Sequence, residues 1–203
     1  TPERMERYVK TIHSKAVDMA GLVDELSYFT KIYQKVEDFR FAPVKASYFF
    51  AECISGMSLD LETRNIQLLY QCDVGEDVEI VIDEEKIKRV VANIVGNAVK
   101  YIQREQGMIL VNVEDQVPFI QVMIRDNGKG IGKEELPFIF ERFYRTDSSR
   151  NSRTGGSGLG LAIAKKIMDE HGGRIWAESE LGKGTEVYFT LKKETEQKEE
   201  HDE

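Results

Sequence analysis

The residues with the clearest potential for chemistry lie in two glycine-containing segments. The first, residues 126–131 (DNGKGI), follows an alternating apolar run that predicts a β-strand ending near Asp126. The second, residues 156–160 (GSGLG), leads into an apolar helical pattern that begins at Leu161. Glycines that open a helix leave backbone N–H groups and the positive end of the helix dipole available to an anion. A carboxylate at a strand end and such a helix start together predict a nucleotide site, with the base at one end and the phosphates at the other.

A third segment, residues 93–101, places two amides and an ammonium on one stripe of a predicted helix. Asn93, Asn97 and Lys100 stand at helical spacing and therefore share a face, beside a neighbouring apolar face. Phosphates and a hydrated magnesium ion would satisfy all three polar groups. A solvated surface is the alternative, but asparagine is a poor helix former that surface helices rarely use twice. The residues of the apolar face are Ile87, Val91, Ile94 and Ala98.

These segments resemble the N, G1 and G2 boxes of sensor histidine kinases, whose ATPase superfamily also contains type II topoisomerases and a heat-shock chaperone. Two further segments fit the same family: residues 140–145 (FERFYR) resemble its F box, and residues 182–185 (GKGT) its closing glycine loop. The five motifs stand in the family's order and cover most of the chain. The resemblance implies the catalytic part of a two-component kinase that phosphorylates a histidine of its own dimer and then a response regulator.

The predicted fold class is α+β. Strands and helices mix irregularly, with hairpins instead of regular βαβ repeats, which favours a two-layer sandwich. This agrees with the fold that the resemblance implies, the α/β sandwich of the histidine kinase/topoisomerase/chaperone ATPase superfamily, preceded by one long coiled-coil-like helix.

The resemblance implies ATP and Mg²⁺ as cofactors and assigns roles to the motif residues. Asp126 would accept a hydrogen bond from the adenine amino group, a contact that guanine cannot offer because it has a carbonyl there. Asn97 would hold magnesium through its amide oxygen. Tyr101 would lie near the ribose, with a place in the core as the alternative. Thr185 would hydrogen-bond the Asp126 carboxylate without touching the nucleotide. The expected ATP-binding residues are Asn93, Asn97, Lys100, Tyr101, Asp126, Gly128, Gly130, Ile131, Arg145, Gly156, Ser157, Gly158, Leu159, Gly160 and Thr185.

Residues 1–37 are predicted to form one long helix, with Thr1 as N-cap and Pro2 at the first helical position. Its apolar residues hold a heptad spacing that must be buried against partners. The resemblance implies the second helix of a dimerisation hairpin, and hence a homodimer, followed by a linker at 38–44, a catalytic domain at 45–193 and an acidic disordered tail at 194–203. The stripe consists of Val9, Ile12, Ala16, Met19, Val23, Leu26, Thr30 and Tyr33, with Thr30 its one polar member.

The phosphoacceptor histidine of the family has no match in this sequence. His13 is followed by Ser14 and Lys15, His171 precedes a glycine pair at a helix end, and His201 lies in the tail. We therefore expect that the chain begins downstream of the acceptor, contains no catalytic residue of its own, and binds ATP without phosphorylating itself.

Composition and charge exclude several classes of protein. A net charge of −8 argues against a nucleic-acid partner, and 41% hydrophobic residues allow a real core. No apolar run is long enough to span a membrane, and no signal peptide opens the chain. We expect no membrane contact by this part of the protein, and the resemblance implies that it is the cytoplasmic domain of a parent protein anchored in the bacterial membrane. Cys53 and Cys72 lack metal-ligand spacing and are expected to be buried thiols.

The remaining pattern predicts the elements that position the motifs. A helix face runs through residues 50–61, and residues 66–72 and 78–82 are expected to form a β-hairpin. Asp83 is predicted to cap the helix that carries Asn93 and Asn97. Further strands are expected at 108–113, 119–125, 174–179 and 185–191, the last two as a hairpin. Residues 134–140 form a predicted short helix, and the polar residues 146–154 a lid over the nucleotide, with Phe140 and Phe143 as its core anchors.

The sequence argues against three functions other than a kinase. A nucleotide-hydrolysing machine of the same superfamily would carry a water-activating glutamate where Asn93 stands, and an amide cannot take a proton at neutral pH. A scaffold that binds ATP without transfer would have lost a magnesium or phosphate residue, and none is missing. An interaction module without nucleotide would explain the long helix but not the glycine and amide motifs.

Overall fold

A computed structural model describes residues 2–103, 105–145 and 156–194 of the chain. The predicted Thr1 cap, the predicted lid at 146–154 and all but the first residue of the predicted tail lie outside these residues. The helices are α1 (Pro2–Tyr33), α2 (Ala46–Thr63), α3 (Glu84–Tyr101) and α4 (Gly160–Glu170), with a 3₁₀ turn at Leu136–Phe138 where a short helix was expected. The strands are β1 (Ala42–Lys45), β2 (Ile66–Asp73), β3 (Glu79–Ile82), β4 (Gly107–Gln116), β5 (Phe119–Asp126), β6 (Ile175–Glu180) and β7 (Gly184–Lys192).

The main sheet has five strands in the order β2-β4-β5-β7-β6. β2 runs parallel to β4, whereas the pairs β4–β5, β5–β7 and β6–β7 are antiparallel. The expected hairpin of β6 and β7 is therefore confirmed. The register sets Asp126 opposite both Ile109 and Thr185, which brings the end of β5 to the start of β7.

The expected hairpin of residues 66–72 and 78–82 is wrong. β3 pairs instead with β1, which includes the last three residues of the predicted linker, in a separate two-stranded sheet. Ile80 and Ile82 of β3 are fully buried in the core, and β2 uses its edge for the parallel pairing with β4. Two strand patterns next to each other in the sequence predicted a hairpin, whereas in the structure each strand pairs with a different partner.

The core lies between one face of the five-stranded sheet and the helices α2, α3 and α4, which confirms the two-layer α+β sandwich. The central strands alternate between fully buried residues and half-exposed ones, the pattern of a sheet covered on one side. Helix α3 presents its predicted apolar face to this layer. The buried core residues of the central strands are Ile109, Val111, Val113, Ile120, Val122 and Ile124.

Asp83 fixes the start of α3, as the sequence predicts. Its carboxylate accepts the Lys86 N–H at 3.1 Å and the Arg40 N–H at 2.9 Å. Its own N–H donates to Nε2 of His171 at 3.1 Å, while Nδ1 of that ring lies 2.8 Å from the Ile167 carbonyl. His171 is thus a neutral imidazole protonated on Nδ1, and burial lowers its pKa below the usual value. One side chain links the end of α4 to the start of α3.

Helix α1 is exposed along most of its length and buried only near its C-terminal end. Val9, Ile12 and Val23 of the predicted stripe are each more than half exposed, whereas Phe29 and Ile32 belong to the core. In the part of the chain that the structure describes, no helix is both long and apolar enough to cross a membrane. Of the two cysteines, Cys53 is buried as expected but Cys72 is exposed. Cys72 shares the core-facing side of the edge strand β2 with Ile66, but it lies near the end of the strand, where burial along that side has ceased.

Candidate functional site

Asp126 forms the floor of the site at the end of β5. Its side chain is 9% exposed, and its Oδ1 accepts the Gly128 N–H at 2.7 Å. Burial raises the pKa of this carboxyl above its ordinary value, and backbone hydrogen bonds from Gly128 and Thr185 partly offset that effect. Thr185 therefore contacts Asp126 as expected, but through its N–H; its hydroxyl lies 3.0 Å from that of Ser179. The result is a fixed carboxylate at the bottom of a cavity.

Helix α3 forms one wall of the site, with its polar stripe directed into it. The Asn93 amide nitrogen donates to the Gly160 carbonyl at 2.8 Å, so this residue joins α3 to the first turn of α4. Lys100 reaches the second glycine segment: a Cβ added at Gly156 would collide with the Lys100 ammonium. The structure thus brings the two predicted phosphate-binding segments into contact across the cavity.

The second glycine segment forms the opposite wall. The Leu159 N–H donates to the Ser157 hydroxyl at 2.9 Å, and the Phe143 N–H donates to the Gly158 carbonyl at 3.0 Å. Gly158 has φ of +74°, and a Cβ there would lie 2.9 Å from the Tyr144 carbonyl oxygen, so only glycine lets this loop approach the F-box backbone so closely.

These elements enclose a cavity of about 280 Å³. All but two of the predicted ATP-binding residues line it. Gly128 does not line the cavity; its N–H donates a hydrogen bond to the Asp126 carboxylate. Leu159 does not either, since its side chain is 1% exposed and belongs to the core.

Sequence reasoning missed several lining residues and misplaced one aromatic. Glu25 of α1 lines the cavity, as do Lys129, Ile139 and Tyr144. The hydrophobic positions carry no local signal, and Glu25 comes from a helix that the sequence placed in another domain. Phe143, expected as a core anchor, is 58% exposed.

Oxygen atoms that could bind magnesium are present in the cavity. Asn97 lines the cavity, and so does Asn93, whose amide nitrogen donates to Gly160 while its amide oxygen is a second acceptor in the same stripe. Among the described residues, no group of three or more His, Cys, Asp or Glu side chains is arranged to hold a metal. Mg²⁺ keeps several waters and typically binds through few protein oxygens together with substrate phosphates. The donor set therefore fits a magnesium ion that arrives with a nucleotide.

Comparison with known proteins agrees with this geometry. The family profile described as "Histidine kinase-, DNA gyrase B-, and HSP90-like ATPase" matches residues 82–195. Among curated proteins, the chain is 37% identical over 191 residues to the sensor histidine kinase YkoH of Bacillus subtilis (strain 168), covering 92% of the chain and 39% of YkoH. The chain thus spans well under half the length of this relative.

Solved structures show the same fold. The histidine kinase ThkA in complex with the response regulator protein TrrA aligns with a TM-score of 0.73 at 26% identity, over 96% of this chain and 53% of the matched one. Full-length ShkA in complex with AMPPNP aligns with a TM-score of 0.78 at 24% identity, over 94% of this chain and 39% of the matched one.

Proposed function

The chain belongs to the family of histidine kinase-, DNA gyrase B- and HSP90-like ATPases, as the catalytic domain of a two-component sensor histidine kinase, and from this premise we propose that it binds ATP and supplies its γ-phosphate to a histidine. One observation carries the proposal. The buried Asp126 carboxylate lies at the floor of the same cavity that Asn93, Asn97 and Lys100 enter from α3.

The Asp126 end of the cavity is suited to adenine. Two backbone N–H groups hold the carboxylate, so it can present a further acceptor position to the adenine amino group. Guanine would set a carbonyl oxygen against the carboxylate at that place. An unpaired buried polar group costs about 1–3 kcal/mol, enough to select ATP over GTP.

The opposite end is suited to the phosphates. Lys100 and Arg145 line it with positive charge, and Gly156–Gly160 bring backbone donors to the start of α4. Here the residues hold the γ-phosphorus so that an imidazole nitrogen can form a bond to it while the bond to the bridging oxygen breaks and ADP leaves. Magnesium, when bound at Asn97, would neutralise phosphate charge. Positioning and charge stabilisation are the main contributions of a protein to phosphoryl transfer.

The acceptor on this proposal is a histidine other than His13 or His171. His171 uses both ring nitrogens within the fold. His13 lies on α1 twelve residues before Glu25, the α1 residue that lines the cavity, which is roughly 18 Å along a helix.

The partners and location follow from the same proposal. The exposed stripe on α1 supports a homodimer through a helical hairpin, and the ThkA–TrrA complex supports a response regulator as the phosphate recipient. A cytoplasmic position in a membrane-anchored parent is part of this proposal.

ATP hydrolysis is the rival activity, and Asn93 argues against it. Its amide already donates to the Gly160 carbonyl and has no basic group with which to activate water.

Labelling in trans tests the proposal. With radiolabelled ATP and Mg²⁺, the chain alone should acquire no acid-labile label, whereas an added helical hairpin from a homologous kinase, with its acceptor histidine, should be labelled. The Asn97→Ala variant is the inactive control. Rapid labelling of the chain alone would contradict the assignment of the acceptor, and fast phosphate release without labelling would favour the hydrolase.

A further inference from the structure

Helix α1 places a carboxylate inside the phosphate end of the cavity. Glu25 lines the cavity, and its Oε2 accepts a hydrogen bond from the Ser157 hydroxyl at 2.5 Å. Its Oε1 lies 3.6 Å from the Cβ position of Gly160, where α4 begins, close to the Asn93 side chain. The carboxylate therefore stands among the groups that would otherwise face a phosphate.

Several contacts hold α1 in this position. Phe29, one turn after Glu25, is buried in the core, and Ile32 is buried more completely still. The Arg89 guanidinium lies 3.6 Å from the centre of the Tyr28 ring, and that of Arg142 lies 4.1 Å from the centre of the Tyr33 ring. Glu25 thus enters the cavity from a segment of helix whose C-terminal side is packed against the catalytic domain.

The segment after α1 adds an ion pair. Lys86 of α3 contacts Glu37 at 2.6 Å, with both side chains largely shielded from water. Burial by itself would lower the pKa of Lys86, but the hydrogen bond to Glu37 and the neighbouring groups raise it overall. This pair fixes the chain just beyond α1 to the helix that carries Asn93 and Asn97.

A carboxylate and a phosphate are anions that would be stabilised by the same groups in this part of the cavity. Ser157, the start of α4 and the nearby cations favour one anion, and two anions in the same space repel each other. We propose that Glu25 occupies the phosphate cradle as an internal anion, so that docking of α1 and binding of the ATP phosphates oppose each other. The inference rests on the proposed function, because it concerns the same site.

This opposition is reciprocal by thermodynamic linkage. Removing the Glu25 charge should tighten ATP, and bound ATP should loosen the docked end of α1. Adenosine has no phosphates, so its affinity should be insensitive to Glu25. This contrast separates competition in the cradle from a general change in the cavity.

The test compares Glu25→Gln with Asp24→Asn by calorimetry, using ATP with Mg²⁺ and adenosine as ligands. Both variants remove one negative charge from the same turn, but Asp24 is exposed and lies outside the cavity. Glutamine can still accept the Ser157 hydrogen bond. We expect Glu25→Gln to lower the Kd for ATP by about fivefold or more, a normal size for coupling between linked sites, with adenosine unchanged and Asp24→Asn like the wild type.

A second readout follows the helix itself. Hydrogen exchange of the amides near Phe29 and Ile32 should accelerate when the wild-type chain binds ATP, and should change less in Glu25→Gln. Equal ATP affinity of Glu25→Gln and Asp24→Asn would overturn the inference, but the proposed ATP-binding function would still stand. Weaker ATP binding by Glu25→Gln would also overturn it, since Glu25 would then assist the nucleotide. No ATP binding by any form would refute the proposed function as well.

Discussion

Replacing Asp126 by asparagine should separate base recognition from the stability of the fold. The carboxylate receives N–H groups from Gly128, at 2.7 Å, and from Thr185, and so has to offer its remaining acceptor position to a base. An asparagine has one oxygen and one NH₂ group. If its oxygen keeps the Gly128 bond, its NH₂ group faces the adenine amino group, donor against donor.

The magnitude follows from that single contact. A hydrogen bond to a charged group contributes about 1.5–3 kcal/mol, so the Kd for ATP should rise roughly ten- to 150-fold. GTP should respond in the opposite direction, because the new NH₂ group can donate to the guanine carbonyl. The ratio of ATP to GTP affinity should therefore narrow sharply.

Asp126→Asn should not lower the stability of the fold. Burial raises the pKa of Asp126, which means that the folded protein holds the charged carboxylate at a cost near neutral pH. A neutral amide removes that cost, so the thermal midpoint should stay constant or rise.

Calorimetry with both nucleotides and a thermal melt are the measurements, and Asp73→Asn, at an exposed position at the end of β2, is the control. An unchanged ATP to GTP ratio in Asp126→Asn would refute the role given to Asp126.

Three further outcomes follow from the structure. Asn97→Ala should make ATP binding independent of magnesium, so that titrations with Mg²⁺ and with EDTA give the same Kd. Asp83→Ala should lower the free energy of unfolding in urea by about 2 kcal/mol, because two backbone N–H groups lose their acceptor, whereas Asp77→Ala, at an exposed position, should have almost no effect. Because the pKa of His171 is lowered in the folded protein, the unfolded chain binds a proton more readily as the pH falls. The contribution of His171 to the free energy of unfolding should therefore be full above the ordinary histidine pKa of about 6.5 and decrease below it. Denaturant unfolding across this range should show the decrease in the wild type and in His13→Gln but not in His171→Asn.

Local periodicity was enough to predict the elements that carry most of the residues lining the cavity. Helix α3 carries a polar stripe and an apolar face in one continuous segment, and Asp83 is the N-cap that marks its start. Because such signals are contained within a few turns, the sequence predicts both the helix and the direction of Asn93 and Asn97. The same holds for the alternating strand that delivers Asp126.

Contacts between distant segments could not be predicted in this way. Ser157 and Glu25 are 132 residues apart, and the sequence pattern around each residue does not predict its contact with the other. The pairing of β3 with β1 instead of β2 is a comparable case, since only the packed core decides which edge each strand uses. Leu159 shows the limit within a motif: its N–H serves the loop while its side chain is buried in the core.

Helix α1 has both an exposed stripe, which its sequence periodicity predicts, and a face that contacts the catalytic domain, which that periodicity does not predict. Its exposed stripe, which includes Val23 and Leu26, and its docked face, which includes Glu25 and Phe29, lie next to each other around the same turns. A partner that covers the stripe and rotates or bends this part of α1 must also move the docked face, because a helix transmits such a displacement within a turn. On the Glu25 proposal, that movement withdraws a carboxylate from the phosphate cradle. A signal carried along α1 could thus change the affinity for ATP without any change in the fold of the catalytic domain.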